Sequence, residues 1–316
     1  MATQPKTEPS VPHWTDPTQF QHSKAVRLFD AERILRVAHQ VQGDRIFINE
    51  EEAATFFAQF KGRSIQDICK DTALGPLDEA QELAFQALES EKKPEALALA
   101  REALQLDSEC TDAQVVLALE ESGSPKLLVS ALKTIVDRAE AKVGTPFLRE
   151  HRGHLWEIVK ARPYLRARLA LAEGLERAGK PGQAIPHLEA MLKLDPADGI
   201  EARYRLVRCY LAAEQLKPLA AFLVILEKSD TTFAAWAAVL EHVHAKAGKA
   251  AESALARARK VNAFLEEFLT GRRKMPRKLP ETSTPGSLEE AIIALHRFGD
   301  TWKNDRQGMY WLFKQG

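Results

Sequence analysis

The sequence predicts an all-α chain built as a helical-hairpin solenoid, and two observations carry that prediction. Two stretches, 77–110 and 165–198, fill the same frame of about 34 residues, with large and small apolar residues recurring at helical spacing. Ala, Leu, Glu, Lys and Arg dominate the composition and alternating β-branched runs are scarce, an alphabet that favours helix over strand. A lone hairpin of this type leaves an apolar face uncovered, so it must stack on neighbours.

The clearest copy is 165–198. Leu171, Ala172 and Leu175 set large, small and large residues along its first helix, and Gly179 marks the turn. Ala184, Ile185, Leu188 and Met191 line the second helix, and Asp195-Pro196 closes it. A small residue on each helix lets the pair approach closely. Pro186 removes a backbone donor inside the second helix, which predicts a kink or a delayed start. The earlier copy repeats the pattern. Leu83, Ala84 and Ala87 occupy its first helix, Ala96, Leu97, Ala100, Ala103 and Leu104 its second, and Leu106-Asp107 ends it.

Ahead of these copies, residues 1–23 are polar and carry Pro5, Pro9, Pro12 and Pro17, which predicts a disordered leader. Residues 24–75 read as an N-terminal helical segment. Its first helix spans Ala25 to Gln42, and Arg45 to Ile48 is a short run with extended character. Asn49 then caps a second helix with Glu52 at its third position; Phe56, Phe57 and Phe60 form the core face and Gly62 the stop. Residues 76–262 read as the repeat array. Between its two clear copies, Thr111 to Glu121 supplies a short first helix, and Ser124-Pro125 opens a longer one ending at Gly144. Thr145-Pro146 repeats that start signal for an inserted helix over 146–161, and Arg162-Pro163 restarts the chain. Gly199 to Leu226 and Thr232 to Asn262 continue as looser units, the second turning at Gly248. Residues 263–316 hold a basic, proline-punctuated connector and a C-terminal capping helix. Ser287 and Glu290 form the capping box of that helix, Ala291, Ile292, Leu295, Phe298 and Trp302 its apolar face, and Met309 to Phe313 is aromatic enough to dock on the last repeat.

The frame of 165–198 is tetratricopeptide-like. Longer words narrow the resemblance: PLDEAQELAFQALE at Pro76 to Glu89, GHLWEIVKARPYLRA at Gly153 to Ala167, and a closing segment. That segment runs from Val261-Asn262-Ala263-Phe264 through GRRKMPRKLPE and GSLEEAIIALHRFGDTWK to Met309-Tyr310-Trp311-Leu312. Together they resemble a bacterial family of tetratricopeptide proteins related to the eukaryotic suppressor-of-tumorigenicity (seventh gene) family. The resemblance runs from about Asn49 to the C-terminus and implies the fold, not a biochemical role. The eukaryotic relatives carry membrane segments that have no counterpart here.

Lysine plus arginine and aspartate plus glutamate both number 44, so no net charge recruits nucleic acid or membrane. Locally, Arg45 to Asp112 is acidic and Arg257 to Lys278 is basic. Cys69, Cys110 and Cys209 are odd in number and widely spaced, which argues against a disulfide framework and fits a reducing, cytoplasmic setting. No N-terminal run is long and apolar enough for a signal peptide or a membrane span.

No catalytic constellation stands out, and the expectation is a non-enzymatic chain with no cofactor and no metal. His151, His154 and Glu157 share one side of the expected inserted helix, but zinc hydrolases space their histidines four apart, so a polar ridge is the simpler assignment. His242 and His244 point to different sides of a helix. Cys209 replaces an apolar residue and reads as a small buried hydrophobe. The basic connector, Arg272, Arg273, Lys274, Arg277 and Lys278, could contact phosphates. The absence of a recognition helix or an RNA-binding aromatic signature argues against a nucleic-acid partner and for a strap over acidic helix surface. Nucleic-acid association through 272–278 stands as the second reading. The first is a protein-interaction scaffold with a binding groove at Arg162, Arg166, Leu169, Glu173 and Arg177. Arg166 and Arg177 would flank Leu169 and pair with acidic residues beside an apolar anchor, so reversing their charge would spare the fold. The Lys or Asn pair that clamps a C-terminal carboxylate is missing: Leu169 and Glu173 stand there, and Gln81 and Phe85 in the earlier copy.

Overall fold

Proline in the first turn, where its missing donor costs nothing, starts much of the helical array. The computed structural model describes residues 29–43, 48–58, 75–228, 231–280 and 282–315. Among these the chain is all-α with no strand, a helical repeat fold of the tetratricopeptide kind. The leader 1–23, the run Arg45 to Phe47, and Phe60, Gly62 and Cys69 lie outside the described residues, as does the Phe57 side chain. Two compact units divide between Ala170 and Leu171.

The first unit holds α1 (Asp30–Gln42), α2 (Glu50–Ala58), α3 (Pro76–Glu89), α4 (Lys93–Leu106), α5 (Thr111–Glu121), α6 (Pro125–Val143), α7 (Thr145–Glu150) and the start of α8 (Arg162–Arg177). Asn49 and Glu52 close a reciprocal capping box on α2: Glu52 N–H donates to Asn49 Oδ1 at 2.9 Å, and Ile48 N–H to Glu52 Oε2 at 2.8 Å. α3 and α4 pair as a hairpin, and α5 packs on both. Ala84, Ala96, Ala100 and Ala103 are all buried at that contact, so the helix axes approach closely. Ser124 Oγ accepts from Leu127 N–H at 3.3 Å to cap α6.

The expected inserted helix over 146–161 is corrected. α7 ends at Glu150, because Gly153 takes φ +107°, a conformation that side-chain-bearing residues avoid and that breaks the helical run. Two short 3-10 turns, Leu155–Glu157 and Val159–Ala161, then bury Leu155, Val159 and Ala161.

The second unit holds the rest of α8, α9 (Pro181–Leu194), α10 (Ala202–Ala212), α11 (Leu216–Leu226), α12 (Thr231–His244), α13 (Gly248–Val261), α14 (Phe264–Leu269), α15 (Leu288–Asn304) and α16 (Arg306–Phe313). Leu171, Ala172, Leu175, Ala184, Leu188 and Met191 are buried. α9 begins at Pro181 and runs on through Pro186, so its start is not delayed; the proline ring sits on the exposed side. One turn design recurs three times. Gly179, Glu214 and Lys246 each take a left-handed φ, and the following N–H reaches back into the helix, as Lys180 N–H does to Leu175 O at 2.9 Å. α15 and α16 cover α12, with Trp302 against Trp236 and Phe298 against Phe233. Asn262 pins the connector's two ends: its amide donates to Ser287 O at 2.9 Å, and its own carbonyl accepts from the Trp236 indole at 3.1 Å.

Candidate protein-interaction surfaces

Arg166 stands at the centre of a buried ionic cluster in the first unit, only 2% exposed. Its Nε donates to Asp112 Oδ1 at 2.9 Å and its Nη1 to Glu32 Oε2 at 2.7 Å. Nη2 donates to Glu32 Oε1 at 3.3 Å and to Asp112 Oδ2 at 2.5 Å. Gln81 adds a third donor to Asp112 at 2.7 Å. Burial works against the Arg166 charge, but Asp112 and Glu32 outweigh it and hold the guanidinium pKa above its ordinary value. Beside it Phe29 stacks on Phe85 with centroids 4.6 Å apart, and the Arg166 guanidinium lies over both rings.

This geometry corrects the open groove expected at Arg162, Arg166, Leu169, Glu173 and Arg177. Among the five, only Arg177 is exposed. Arg162 donates to Trp156 O at 2.8 Å, lies over the Trp156 ring and reaches Glu32 at 3.6 Å. Leu169 is core. Glu173 belongs to the second unit, where Arg205 bonds it at 2.5 Å and Glu176 at 3.1 Å, while Arg208 also pairs with Glu176. The physical reason for the first-unit burial is α1, which lies on the face of α3 and α8 where a groove would open. Charge reversal at Arg166 therefore cannot spare the fold.

Sequence reasoning missed the residues that hold α1 there: Phe29, Glu32 and Arg33 on α1, and Gln81, Glu82, Phe85, Glu89 and Asp112 opposite. Arg33 grips Glu89 with two bonds of 2.9 Å and Glu82 with one of 2.8 Å. Glu89 also accepts from Phe29 N–H at 3.2 Å, a carboxylate placed at the helix start where the dipole favours it. A signal existed: Glu32 and Arg33 share a helix face with Phe29 and Val37, so charge interrupts an apolar stripe. Asp112 was masked by its position in a first turn, where an acid needs no other explanation.

The connector is folded back on α14. Arg272 reaches Glu266 at 3.3 Å, and Arg273 donates to Glu267 at 2.7 Å. Arg259 forks onto Glu266 and, with Arg272, holds that carboxyl below the usual range. Lys274, Arg277 and Lys278 lie at the exposed surface. A cleft of about 320 Å³ between the α9–α10 loop and α15 is lined by Asp198, Glu201, Tyr204, Glu290 and Arg297. Its charges close on each other, with Arg297 to Glu201 at 2.5 Å and Arg203 to Asp198 at 2.7 Å.

His151 and His154 meet edge to face at 5.5 Å, while Glu157 sits exposed on a separate turn, so the three do not share a helix face. Among the described residues no group of three His, Cys, Asp or Glu could hold a metal ion. The Cys110 thiol is pushed up to about 11 by burial and by Asp112, and burial with Glu176 pushes Cys209 up further.

Residues 175–243 match a tetratricopeptide repeat family. They span the turn at Gly179, the hairpins from α9 to α11 and most of α12. The tetratricopeptide hairpins of the second unit are thus the part of the chain with a matched family. No curated protein and no solved structure matches the chain. No helix among the described residues is long and apolar enough to cross a membrane.

Proposed function

We propose that the protein is a non-catalytic interaction scaffold that holds protein segments, in helical form, against its hairpins, and that it is kin to the bacterial tetratricopeptide proteins its closing segment resembles. One observation carries this: α1, a helix outside the hairpins, is held on α3 and α8 by a built set of charged and aromatic side chains around Arg166. Tetratricopeptide repeats generally mediate protein–protein contacts, which supports the same assignment. The buried thiols, whose pKa values lie far above neutrality, are poor nucleophiles, which supports a non-catalytic role. Pairing of Arg272 and Arg273 within the chain weighs against phosphate binding by the connector.

Capture from native lysate by the tagged full chain, with and without nuclease, tests the assignment. Protein partners should survive nuclease treatment, and should survive Arg273→Glu with Lys274→Glu. Partners that vanish with nuclease, or with the connector variant alone, would replace the scaffold by a nucleic-acid-associated factor.

A further inference from the structure

The contact between α1 and the rest of the first unit has a property that most core contacts lack: most of its charges, Glu89 excepted, keep a second partner on their own side. On α1, Glu32 is also paired with Arg36 at 3.3 Å, and Arg33 with Asp30 at 3.3 Å. Opposite, Arg166 keeps its two bonds to Asp112, and Asp112 keeps Gln81. Glu82 accepts from Gln86 at 3.0 Å. Separation therefore leaves Glu32, Arg33, Glu82, Asp112 and Arg166 each with a partner, and only Glu89, already 16% exposed, must turn to water. An orphaned charge is the usual reason a buried ionic contact is hard to open.

The apolar share of the contact is small. Among the described side chains of α1 and its N-cap, Phe29 and Val37 are the buried apolar ones, while Ile34 stays 50% and Leu35 38% exposed. Such a contact is selective, because it reads a helix start, an aromatic ring and two charges of fixed order, and it is weakly held. A segment with these features from elsewhere would make the same bonds.

We propose that the face formed by Gln81, Phe85, Glu89, Asp112 and Arg166 is a helix-binding site that α1 occupies as an internal ligand. The partner it fits is an amphipathic helix that begins at an aromatic residue and carries Glu three and Arg four positions later. Binding is competitive: the partner helix takes the place of α1. The site is the scaffold function of the preceding subsection made specific, and it rests on that assignment.

The probe is a fluorescent peptide with the sequence of residues 25–43, titrated into the full chain. In a chain carrying Glu32→Arg and Arg33→Glu, α1 meets Arg166 and Glu89 with like charge and leaves the face. The peptide should bind this chain saturably, and about tenfold or more tighter than it binds the unaltered chain, where α1 competes in cis. A peptide with the same two exchanges should bind neither. No binding of the unaltered peptide to an exchanged chain that keeps its helical spectrum overturns the proposal.

Should the exchanged chain fail to fold, hydrogen exchange on the unaltered chain decides. α1 amides should exchange about tenfold or more faster than those of α3, and equal protection overturns the proposal by making α1 part of the core. Light scattering that reads the unaltered chain as a dimer, falling to a monomer on the exchange, overturns it in favour of α1 passing between two copies. Loss of peptide binding with nuclease-resistant partner capture intact would remove this site and leave the scaffold assignment standing.

Discussion

Replacing Arg166 by Met should destabilise the first unit by about 3 kcal/mol, near the low end of the cost of breaking one side of a buried ion pair. The magnitude follows from what each partner retains. Asp112, fully buried at 0% exposure, loses both guanidinium bonds and keeps only the Gln81 amide. Glu32 loses as many but keeps Arg36 at 3.3 Å and Arg162 at 3.6 Å, so it adds little. Methionine fills most of the vacated volume, which limits the cavity cost. A loss of this size lowers the melting temperature by roughly 6–12 °C in a unit of this length.

A chain with two compact units need not melt in one transition, so denaturant melts followed by circular dichroism should be paired with hydrogen exchange to place the loss in α3 to α8. Adding Asp112→Asn, which removes the unpaired charge and keeps an acceptor for Gln81, should restore about half of the loss. A midpoint within about 0.5 kcal/mol of the unaltered chain would mean that Arg166 is solvated and faces an open groove, and the buried cluster would be wrong.

Arg177→Glu is the contrasting case: its side chain is exposed, and stability should stay within about 0.5 kcal/mol by the same melt. Gly308→Ala should loosen α16, since a Cβ there would sit 2.2 Å from Leu240 Cδ2, itself fully buried. The expected cost is about 1–3 kcal/mol, read as faster exchange in α16 and unchanged exchange in α3; equal protection in α16 would refute the close approach. The His244 to Asp305 hydrogen bond raises the imidazole above its ordinary 6.5; burial works against the Asp305 charge, but His244 and the Gly308 N–H outweigh it and lower that carboxyl below 3.8. A raised histidine contributes fully below 6.5 and loses its contribution as pH rises through the folded value, while a lowered aspartate loses its own as pH falls through that value. Stability measured from about pH 5 to about pH 9 should therefore decline at the alkaline end, and His244→Gln should remove that decline; an identical slope in the variant would refute the linkage.

Local signals made much of the fold legible. Large and small residues at helical spacing identify the hairpins because close helix packing demands them, and Ala84, Ala100, Ala172 and Ala184 are all fully buried. Ser124 and Ser287 cap the helices they precede because a hydroxyl acceptor is needed there. What stayed hidden depended on distance in the chain. Glu214 and Lys246 build the same left-handed turn as Gly179, yet nothing in their residue type announces it. Gly153 was legible as a glycine but not as the end of a helix, since the chemistry around it resembles a continuing run. The candidate site was read inside out for the same reason. The spacing points Arg166 at the carboxylates of a partner, whereas the carboxylates it meets are Glu32 and Asp112 of its own chain, far away in sequence. Spacing along one helix cannot show what another helix brings to it.

Each unit holds a helix that belongs to no hairpin, and the chemistry of the two contacts differs in kind. α15 presents Ala291, Ile292, Leu295, Phe298 and Trp302, all buried, and meets Phe233 and Trp236 through ring-to-ring contacts. Apolar burial of that extent contributes roughly 1.5–3 kcal/mol for each large side chain, and no alternative helix can collect it without matching the same shape. α1 instead presents Glu32 and Arg33 with Phe29, and its ionic bonds roughly break even against the desolvation they require. The first kind of contact seals the end of a repeat array, whose terminal hairpin would otherwise leave apolar surface in water. The second kind contributes little to holding the fold and much to choosing what may sit there, because a reversed charge on either side is rejected. A chain that needed α1 only as a cap would be served better by leucines at 32 and 33, and the charged pair is therefore best explained by recognition.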